Sequence, residues 1–312
     1  MFSKSPRCQI VPLPGRQVAF GIDGRERLRW HAATDAPRPF FFPLIGPSGL
    51  PLTRMGHPGA PDHDHHRSIW FAHHKVLGIN FWGENTDARI RQEEWLAYED
   101  GDDSAKMACR LAWYDGHDPT ALIDQQLIVS VSPDDADGVL LEIQTTLKPI
   151  ADSLELNQTN FGLLAVRVAK SISARFGDGV LTGANGEQTE KKLFGKQSPW
   201  IDYSGSIDQE VTEGITYFDH KSNPTYPSKW HVRDDGWMGS SICRDAPIML
   251  QKSEPLVLRY LLHAHAGAIH AEAANTIAKR FDGSPSFRIG PSEKPSHGKS
   301  ILRNPTQKII HE

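Results

Sequence analysis

Between residues 88 and 148 the sequence divides into strand-length apolar segments separated by short clusters of turn-forming residues. Acidic residues, glycine and proline concentrate in clusters at 99–103, 115–119 and 132–135, and such clusters are typical of the turns between strands. Parallel strands need crossover connections of roughly a dozen residues or more, and these gaps are too short to hold them. The pattern therefore predicts an antiparallel, all-β domain.

Two segments outside this region add a hairpin and a helix. The dipeptide Asp23-Gly24 lies within 17–31 and favours a tight turn between two strands, because both residues accept positive φ. The alanine-rich segment 268–281 predicts an amphipathic helix. Four of its residues, spaced by four, are expected on the face that packs against the sheets: Ile269, Ala273, Ile277 and Phe281. His270 and Glu272 are expected to face solvent.

The length of 312 residues does not decide between one domain and two, because large β-sandwiches reach this size as one unit. We predict a single antiparallel β-sandwich domain over residues 1–282, with one C-terminal helix. The remaining segment, 283–312, is dominated by serine, proline, glycine and lysine. It is expected to form a flexible or loosely docked tail.

Bulk properties indicate an ordinary soluble protein. The formal net charge is −4 and no long basic run is present, so neither nucleic acid nor an anionic membrane is an expected partner. The N-terminus lacks a secretory signal, and no apolar run is long enough to span a bilayer. Three widely separated cysteines, Cys8, Cys109 and Cys243, argue against a disulfide framework. A cytoplasmic location is expected, and a homo-oligomer remains possible.

Six of the fifteen histidines fall between residues 55 and 84, beside an arginine, several aromatic residues and acids. Imidazole is close to balanced between its charged and neutral forms at neutral pH, so it serves as proton carrier, metal ligand or hydrogen-bond donor. Burial as hydrogen-bonded structural groups is the usual role of a single histidine, and it explains only some of six. We therefore expect part of any chemistry to lie here.

The segment 67–73 is rich in β-branched and aromatic residues and predicts a strand. If that strand extends back to residue 63, alternate side chains share one face: His63, His65, Arg67 and His73. His63 and His65 can then reach a common ion or substrate, although no standard zinc signature is present. A divalent metal ion held by His63, His65 or His73 is one hypothesis, and a protein without any cofactor is the other.

A second group of polar residues lies in the C-terminal half. Arg167 interrupts a continuous apolar strand, and a buried charge in such a strand is costly unless it is paired. The candidate partners are Glu187, Glu190, Asp202 or a carboxylate of the substrate.

Aromatic residues alternate with acids and histidines from residue 200 to 237. Sugar sites combine aromatic faces, which stack on C–H groups, with charged or imidazole groups that hydrogen bond to hydroxyls. Core packing explains many of the rings, but it explains His220 and His231 less well because they stand in short polar runs. We therefore favour a sugar site over core packing for these two histidines.

Several longer motifs follow one another along the chain: His63, His65-His66-Arg67, Trp70-Phe71-Ala72-His73, Phe81-Trp82-Gly83-Glu84, Gly195-Lys196, Pro199-Trp200, Asp202-Tyr203-Ser204-Gly205, Phe218-Asp219-His220, Asn223-Pro224 and Lys229-Trp230-His231-Val232-Arg233-Asp234. In this order they resemble the PmoA-like family (DUF6807) of soluble bacterial proteins, from about residue 38 to 282. The chain departs from the family pattern at four positions, where proline, glycine, glycine and tryptophan are usual: Asp64, Ser68, His74 and Phe194. The resemblance implies a sandwich similar to galactose-mutarotase-type proteins, and an association with sugar-oxidising and sugar-isomerising enzymes.

We therefore expect a carbohydrate-active enzyme that handles a sugar or an oxidised (keto) sugar derivative by proton transfer, either epimerisation or β-elimination and hydration. Such reactions need a general base and a general acid, for which His65 and His231 are the candidates. Arg67 and Arg167 are candidates for stabilising developing negative charge. The alternative bases are Glu190 and Asp202. The expected substrate-binding residues are Arg38, His66, Trp82, Glu84, Trp200, His220 and Trp230.

Two other classes of protein stay open at this point. A non-catalytic sugar-binding protein would use the same aromatic residues, and it predicts binding without turnover. A metal-dependent oxygenase would use the histidine cluster at 62–73 as a ligand set with open positions.

Overall fold

The computed structural model describes residues 5–57, 63–292 and 298–305. The strands are β1 Cys8–Leu13, β2 Gln17–Ile22, β3 Arg25–His31, β4 Phe40–Leu44, β5 Ile69–His73, β6 Arg89–Glu99, β7 Ala105–Tyr114, β8 Ile123–Pro133, β9 Val139–Pro149, β10 Ser153–Leu156, β11 Gly162–Arg167, β12 Val180–Gly183, β13 Trp200–Asp208, β14 Val211–Asp219, β15 Trp230–Arg233, β16 Trp237–Ser240, β17 Ile248–Gln251, β18 Leu256–Ala266, β19 Phe287–Pro291 and β20 Lys299–Arg303. The helices are α1 Glu190–Leu193 and α2 Ala271–Gly283, with a short 3-10 helix at Asp135–Asp137.

Two eight-stranded antiparallel sheets face each other. Sheet A has the strand order β1-β2-β3-β4-β5-β11-β16-β15, and sheet B has the order β12-β13-β14-β18-β9-β8-β7-β6. One continuous core of buried apolar side chains fills the space between them, and burial of apolar surface is the main stabilising contribution to such a sandwich. Phe71 of sheet A contacts Trp113 of sheet B, with ring centroids 6.3 Å apart. The all-β sandwich prediction is confirmed.

The region that carried the prediction forms a four-stranded meander. Strands β6, β7, β8 and β9 are sequential neighbours in sheet B, and each pair is antiparallel. The turn between β2 and β3 lies at Asp23 and Gly24, whose φ angles are 51° and 77°. Local turn chemistry therefore predicted both features correctly.

Helix α2 packs on the outer face of sheet B. Its buried residues Ala274 and Phe281 contact Trp200 and Phe218, and His270 and Glu272 are exposed as expected. Ala273, however, is exposed. A spacing of four drifts around a helix of 3.6 residues per turn, so the packed face follows Ala274 rather than Ala273.

The described part of the tail forms a hairpin of β19 and β20. Phe287 and Ile301 are buried in this hairpin and pack against three residues of sheet B: Ala97, Ala108 and Ile128. Arg303 forms an ion pair with the buried Glu142 of sheet B, with an Nη2–Oε2 distance of 2.5 Å. The described residues of 283–305 are therefore docked on the sandwich, and the rest of the predicted tail lies outside the described residues.

The three cysteines are buried free thiols, in agreement with the absence of a disulfide framework in the sequence. None of the helices that the structure describes is long and apolar enough to cross a membrane.

Candidate active site

The histidine segment does not continue the strand β5. Residues 63–65 form a turn. A hydrogen bond from the backbone N–H of His66 to the carbonyl of His63, at 3.0 Å, closes this turn. Ser68 has φ of 58°, in the left-handed region that glycine occupies at least cost. This turn reverses the alternation of side chains between residue 63 and Ile69. The expectation that His63, His65, Arg67 and His73 share one strand face was therefore wrong.

His73 lies on the face of β5 opposite Trp70 and His74. It is fully buried, and its Nε2 lies 3.0 Å from the carbonyl oxygen of Asn157. Burial lowers its pKa to about 4, so the ring is neutral at neutral pH. His73 therefore does not join His63 and His65 in a ligand set.

The strand register explains which side chains of sheet A come together. One row of partnered residues crosses β5, β11, β16 and β15: Trp70, Ala165, Gly239 and His231. The next row on the same face crosses the last three strands: Arg167, Trp237 and Arg233. Ala165 and Gly239 are small and leave room above the sheet. A Cβ added at Gly239 would lie 3.3 Å from the Trp237 ring, which covers this position.

A cavity of about 390 Å³ lies over these rows. Its walls come from the histidine segment, the loop before β6, and strands β11, β15 and β16: His63, His65, His66, His74, Asn80, Trp82, Gly83, Phe161, Arg167, His231, Arg233, Asp235 and Trp237. The size and the mixture of aromatic and polar groups are typical of small-molecule sites. We name this the inner cavity.

Arg38 fixes the two loops that form one wall of the inner cavity. Its guanidinium is 1% exposed and donates to the carbonyl of His65 at 3.0 Å and to those of Phe81 and Gly83 at 3.1 Å each. Burial lowers its pKa to about 9, so it stays charged at neutral pH. Arg38, expected to bind substrate, instead binds backbone carbonyls behind the cavity and positions His65.

His66 is held between aromatic rings. Its ring is stacked near Trp70 at 5.3 Å and Trp237 at 6.0 Å between centroids, and the His65 ring lies 4.3 Å away. Burial lowers the pKa of His66 strongly, and the positive charge of Arg167 lowers it further. His66 therefore presents a neutral imidazole to the cavity at neutral pH.

His231 lies on the opposite side of Trp237, with ring centroids 3.9 Å apart. Its Nδ1 is 3.3 Å from the carbonyl oxygen of Asn160. Because a carbonyl only accepts, the neutral ring donates from Nδ1 and keeps the Nε2 lone pair available. Burial lowers the pKa of His231 to about 3, although the Asn160 carbonyl acts in the opposite direction.

Arg167 is paired with Asp235, which is not among the partners expected from the sequence. The distances from Nη1 to Oδ1 and from Nη2 to Oδ2 are 2.6 and 3.3 Å, and His57 Nε2 lies 3.1 Å from the same carboxylate. Burial alone would raise the pKa of Asp235, but the hydrogen bond and charge of Arg167 outweigh it and lower the pKa. The prediction that Arg167 needs a carboxylate agrees with this geometry, whereas none of the three protein carboxylates expected as its partner, Glu187, Glu190 and Asp202, fills the role.

Several buried ring nitrogens around the inner cavity lack a protein partner among the described residues: His66 Nδ1, His74 Nδ1, Trp82 Nε1 and Trp237 Nε1. Buried polar groups are nearly always hydrogen bonded, and an unsatisfied one costs about 1–3 kcal/mol. Such groups concentrate where a fold gives up stability for function. Trp82 and Trp237, both under 5% exposed, therefore make this wall a candidate functional surface.

Arg67 and Glu84 pair with each other outside the inner cavity. Arg67 Nε donates to Glu84 Oε1 at 2.7 Å, and the two side chains are 23% and 28% exposed. The turn at Ser68 directs Arg67 away from the row that contains Arg167. The structure therefore does not bring Arg67 or Glu84 to the cavity wall.

Three expected substrate-binding residues lie away from the inner cavity and make structural contacts. Trp200 lies beneath α2, and its Nε1 donates to Asn275 at 2.9 Å. Trp230 is in the core between the sheets, where its ring contacts Tyr217 at 4.8 Å. His220 is 2.8 Å from the guanidinium of Arg259. The expectation that these three residues form one sugar site is therefore corrected. Strands β13 and β14 belong to sheet B and β15 belongs to sheet A, so residues that are close in sequence lie in different parts of the sandwich.

Asp202 and Glu190, the alternative bases, also lie outside the inner cavity. Asp202 is fully buried and binds His265 Nε2 at 2.9 Å and the Thr216 hydroxyl at 2.8 Å. Glu190 lies beside the cavity, where Oε2 accepts the backbone N–H of Asp234 at 2.7 Å. Neither carboxylate is placed to act on a ligand of the inner cavity.

No cluster of three or more histidine, cysteine or carboxylate side chains within the described ranges has a geometry that could hold a metal ion. Asp62, at the start of the histidine cluster at 62–73, lies outside those ranges.

Comparisons with solved structures give two distant similarities in overall architecture. One is a protein titled "putative mutarotase (YeaD)" from Salmonella typhimurium, at 12% identity and a TM-score of 0.36, covering 85% of this chain and 96% of that one. The other is titled "putative kojibiose phosphorylase from human microbiome", at 10% identity and a TM-score of 0.33, with 90% of this chain matched to 36% of that one. Similarity at this level assigns no activity to this chain.

Comparison with curated protein sequences gave no match. A family model described as "Family of unknown function (DUF6807)" matches residues 17–279. This range includes every strand of sheets A and B except β1, and every wall residue of the inner cavity. This match confirms the family resemblance read from the sequence motifs. The chain belongs to the DUF6807 family.

Proposed function

We propose that the inner cavity is the active site of an enzyme that acts on a sugar or an oxidised (keto) sugar derivative by proton transfer. The observation that supports this most is the grouping of neutral imidazoles, aromatic walls and one buried arginine around a single cavity. Sugar recognition needs aromatic faces and hydrogen-bonding groups together. A core-packing role would not need an open cavity at this position.

The charges of the cavity walls favour a polyhydroxyl ligand over a polyphosphate. Arg167 is compensated by Asp235, and Arg233 lies 3.3 Å from Glu190. Burial lowers the pKa values of His66 and His231, so both rings are uncharged at neutral pH. The walls therefore carry no large excess of positive charge for a highly charged anion.

The proposed reaction begins at a C–H group next to a carbonyl of the sugar. Nε2 of His231 accepts the proton, and the C–H electron pair forms the double bond of an enolate. Arg167 stabilises the negative charge on the enolate oxygen. The imidazolium on His231 is in turn stabilised by that new negative charge, which raises its pKa during the step.

His65 completes the reaction by returning a proton. In an epimerisation the proton goes to the carbon from the other face, and in a β-elimination it goes to a hydroxyl group that leaves as water. Arg38 donates a hydrogen bond to the His65 carbonyl, which limits movement of the backbone that carries the His65 ring. A divalent ion would supply electrostatic stabilisation of the enolate in addition to Arg167, and elemental analysis of the purified protein decides whether one is present.

Deuterium incorporation tests the proposal. Aldoses, ketoses and keto-sugars are incubated with the protein in D₂O, and NMR follows the loss of individual C–H signals. We expect exchange at one carbon for a subset of these sugars, and a decrease of about 10²-fold or more in His231→Gln. His117→Ala, which changes an exposed histidine in a turn, is the matched control and keeps the full rate.

Two results would contradict the proposal. Sugar binding without exchange at any carbon would identify a binding protein instead of an enzyme. Exchange at the full rate in His231→Gln would place the base on another residue.

A further inference from the structure

A second and larger cavity, of about 940 Å³, lies next to the inner cavity. We name it the outer cavity. Its walls are formed by the segment after β11, by β12, and by the stretch from Gln188 through α1. None of the residues proposed to move protons lies in its wall, so it has no part in the chemistry described above.

Two side chains separate the outer cavity from the inner one. Arg233 lies two residues after His231 on β15 and lines both cavities. Phe194 lines the outer cavity, and its ring centroid is 5.0 Å from that of His231. A ligand in the inner cavity beside His231 is therefore one side-chain layer away from the outer cavity.

The outer cavity carries an excess of positive charge. Arg175, Lys191 and Arg233 line it together with the carboxylates of Glu190 and Asp234. Glu190 is already engaged, because Oε1 is 3.3 Å from Arg233 and Oε2 accepts the N–H of Asp234 at 2.7 Å.

Arg175 and Lys191 have no ion pair with a carboxylate among the described residues. Arg175 instead lies over the ring of Phe176 at 5.7 Å. Both side chains are exposed, so binding an anion there does not require burial of a free charge first.

The wall of the outer cavity also contains a strained residue. Thr189 has φ of 82°, and a positive φ is a rare and strained conformation for a β-branched residue. Such conformations cluster at ligand sites because surrounding contacts hold them in place. Here the strained residue directly precedes Glu190 and Lys191.

We propose that the outer cavity is the subsite for the second unit of an extended, acidic carbohydrate, and that Arg175 and Lys191 bind its carboxylate. This inference rests on the proposed function of the inner cavity. The inner cavity, with paired charges, takes the neutral unit at which the proton is transferred. The outer cavity then accounts for substrate size and charge, and Arg233 contacts the junction between the two units.

A matched series of ligands tests this assignment by calorimetry: glucose, cellobiose and cellobiouronic acid, with the galactose-configured equivalents. We expect the wild-type protein to bind the uronate-bearing disaccharide of one configuration about tenfold more tightly than the neutral disaccharide, since a charge-assisted hydrogen bond is involved. This preference is expected to decrease with added salt. The Arg175→Ala/Lys191→Ala variant is expected to lose the preference and to keep its affinity for the monosaccharide.

Lys192→Ala is the control, because Lys192 is exposed on the same helix and does not line the outer cavity. It is expected to retain the preference for the acidic disaccharide. Equal affinities of the wild-type protein for the neutral and acidic disaccharides would overturn the subsite while leaving the proposed function intact if the monosaccharide binds and exchanges deuterium. Absence of binding and exchange for every sugar would overturn both.

Discussion

Replacing Asp235 with asparagine removes the negative charge that compensates Arg167 and keeps the volume of the side chain. Arg167 is fully buried, and Asp235 is 17% exposed, so the arginine would remain as a buried charge without its carboxylate. Removing one partner of a buried ion pair typically costs 3–5 kcal/mol. Because Asp235 faces the cavity and retains some solvent contact, we expect about 3 kcal/mol for Asp235→Asn. For a chain of 312 residues, whose unfolding entropy is on the order of 0.65 kcal/mol per kelvin, that corresponds to a decrease in Tm of about 5 °C.

Urea unfolding followed by circular dichroism measures this cost. The double variant Arg167→Met/Asp235→Leu removes both charges, and it is expected to recover most of the stability without recovering deuterium exchange. That contrast separates the structural role of the pair from the proposed role of Arg167 in stabilising an enolate. A cost below about 0.5 kcal/mol for Asp235→Asn, in the range of a surface substitution, would refute the reasoning.

The lowered pKa of Asp235 fixes the direction of its pH dependence. The carboxylate binds Arg167 more tightly when it is ionised. The ion pair therefore contributes its full stability at pH values above 3.8, the ordinary pKa of an aspartate, and this contribution is lost as the pH falls through the lower pKa of Asp235 in the folded protein. We expect the stability difference between the wild-type protein and Asp235→Asn to be constant near neutral pH and to shrink only below about pH 4.

Three further predictions concern strain, protonation and the tail. Ser68→Gly is expected to stabilise the protein by about 1 kcal/mol because φ at this position is positive, whereas Ser68→Ala keeps the strain and serves as the control; equal unfolding midpoints for the two variants would contradict this. The pKa of His231 is lowered from 6.5 to about 3, so the unfolded chain takes up a proton that the folded protein does not as the pH falls below 6.5, and the urea midpoint should be lower at about pH 5 than at pH 7; that drop should be smaller in His231→Gln, and an unchanged drop would argue against a neutral buried ring. Ile301→Ala is expected to cost about 2–4 kcal/mol of unfolding free energy because the side chain is 3% exposed, and a cost near zero would show that the C-terminal hairpin is detached in solution.

The sequence predicts the fold where local chemistry determines it. The turn at Asp23-Gly24 and the meander of β6 to β9 follow from turn residues and strand spacing, which depend on neighbours in the chain. The face of α2 was predicted less well, because Ala273 and Ala274 have equal hydrophobicity and only the contact with sheet B distinguishes them.

The candidate site was predicted in part, for reasons of chain geometry. The clustering of His63, His65 and His66 follows from their proximity in sequence, but the left-handed turn at Ser68 reverses the alternation on which the placement of His73 depended. The need of Arg167 for a carboxylate follows from its apolar surroundings. Its partner Asp235 is 68 residues away, and only the pairing of β11 with β16 brings it close.

Further site residues carried signals that were weak at the level of sequence. Asp235 and Gly236 lie in the turn between β15 and β16. A hairpin predicted for this segment would have placed the Asp235 carboxylate at the end of two paired strands. Trp237 follows directly and separates His66 from His231. His57 contacts Asp235 from a separate segment, and nothing in its spacing indicates that contact.

A crystal structure of the protein with a sugar that exchanges deuterium tests most directly whether the inner cavity is the active site. We predict electron density for the sugar in the inner cavity, in contact with Trp237, with the exchanging carbon within reach of His231 Nε2 and the carbonyl oxygen facing Arg167. Density for the sugar at another surface, with the inner cavity filled by solvent, would contradict the account.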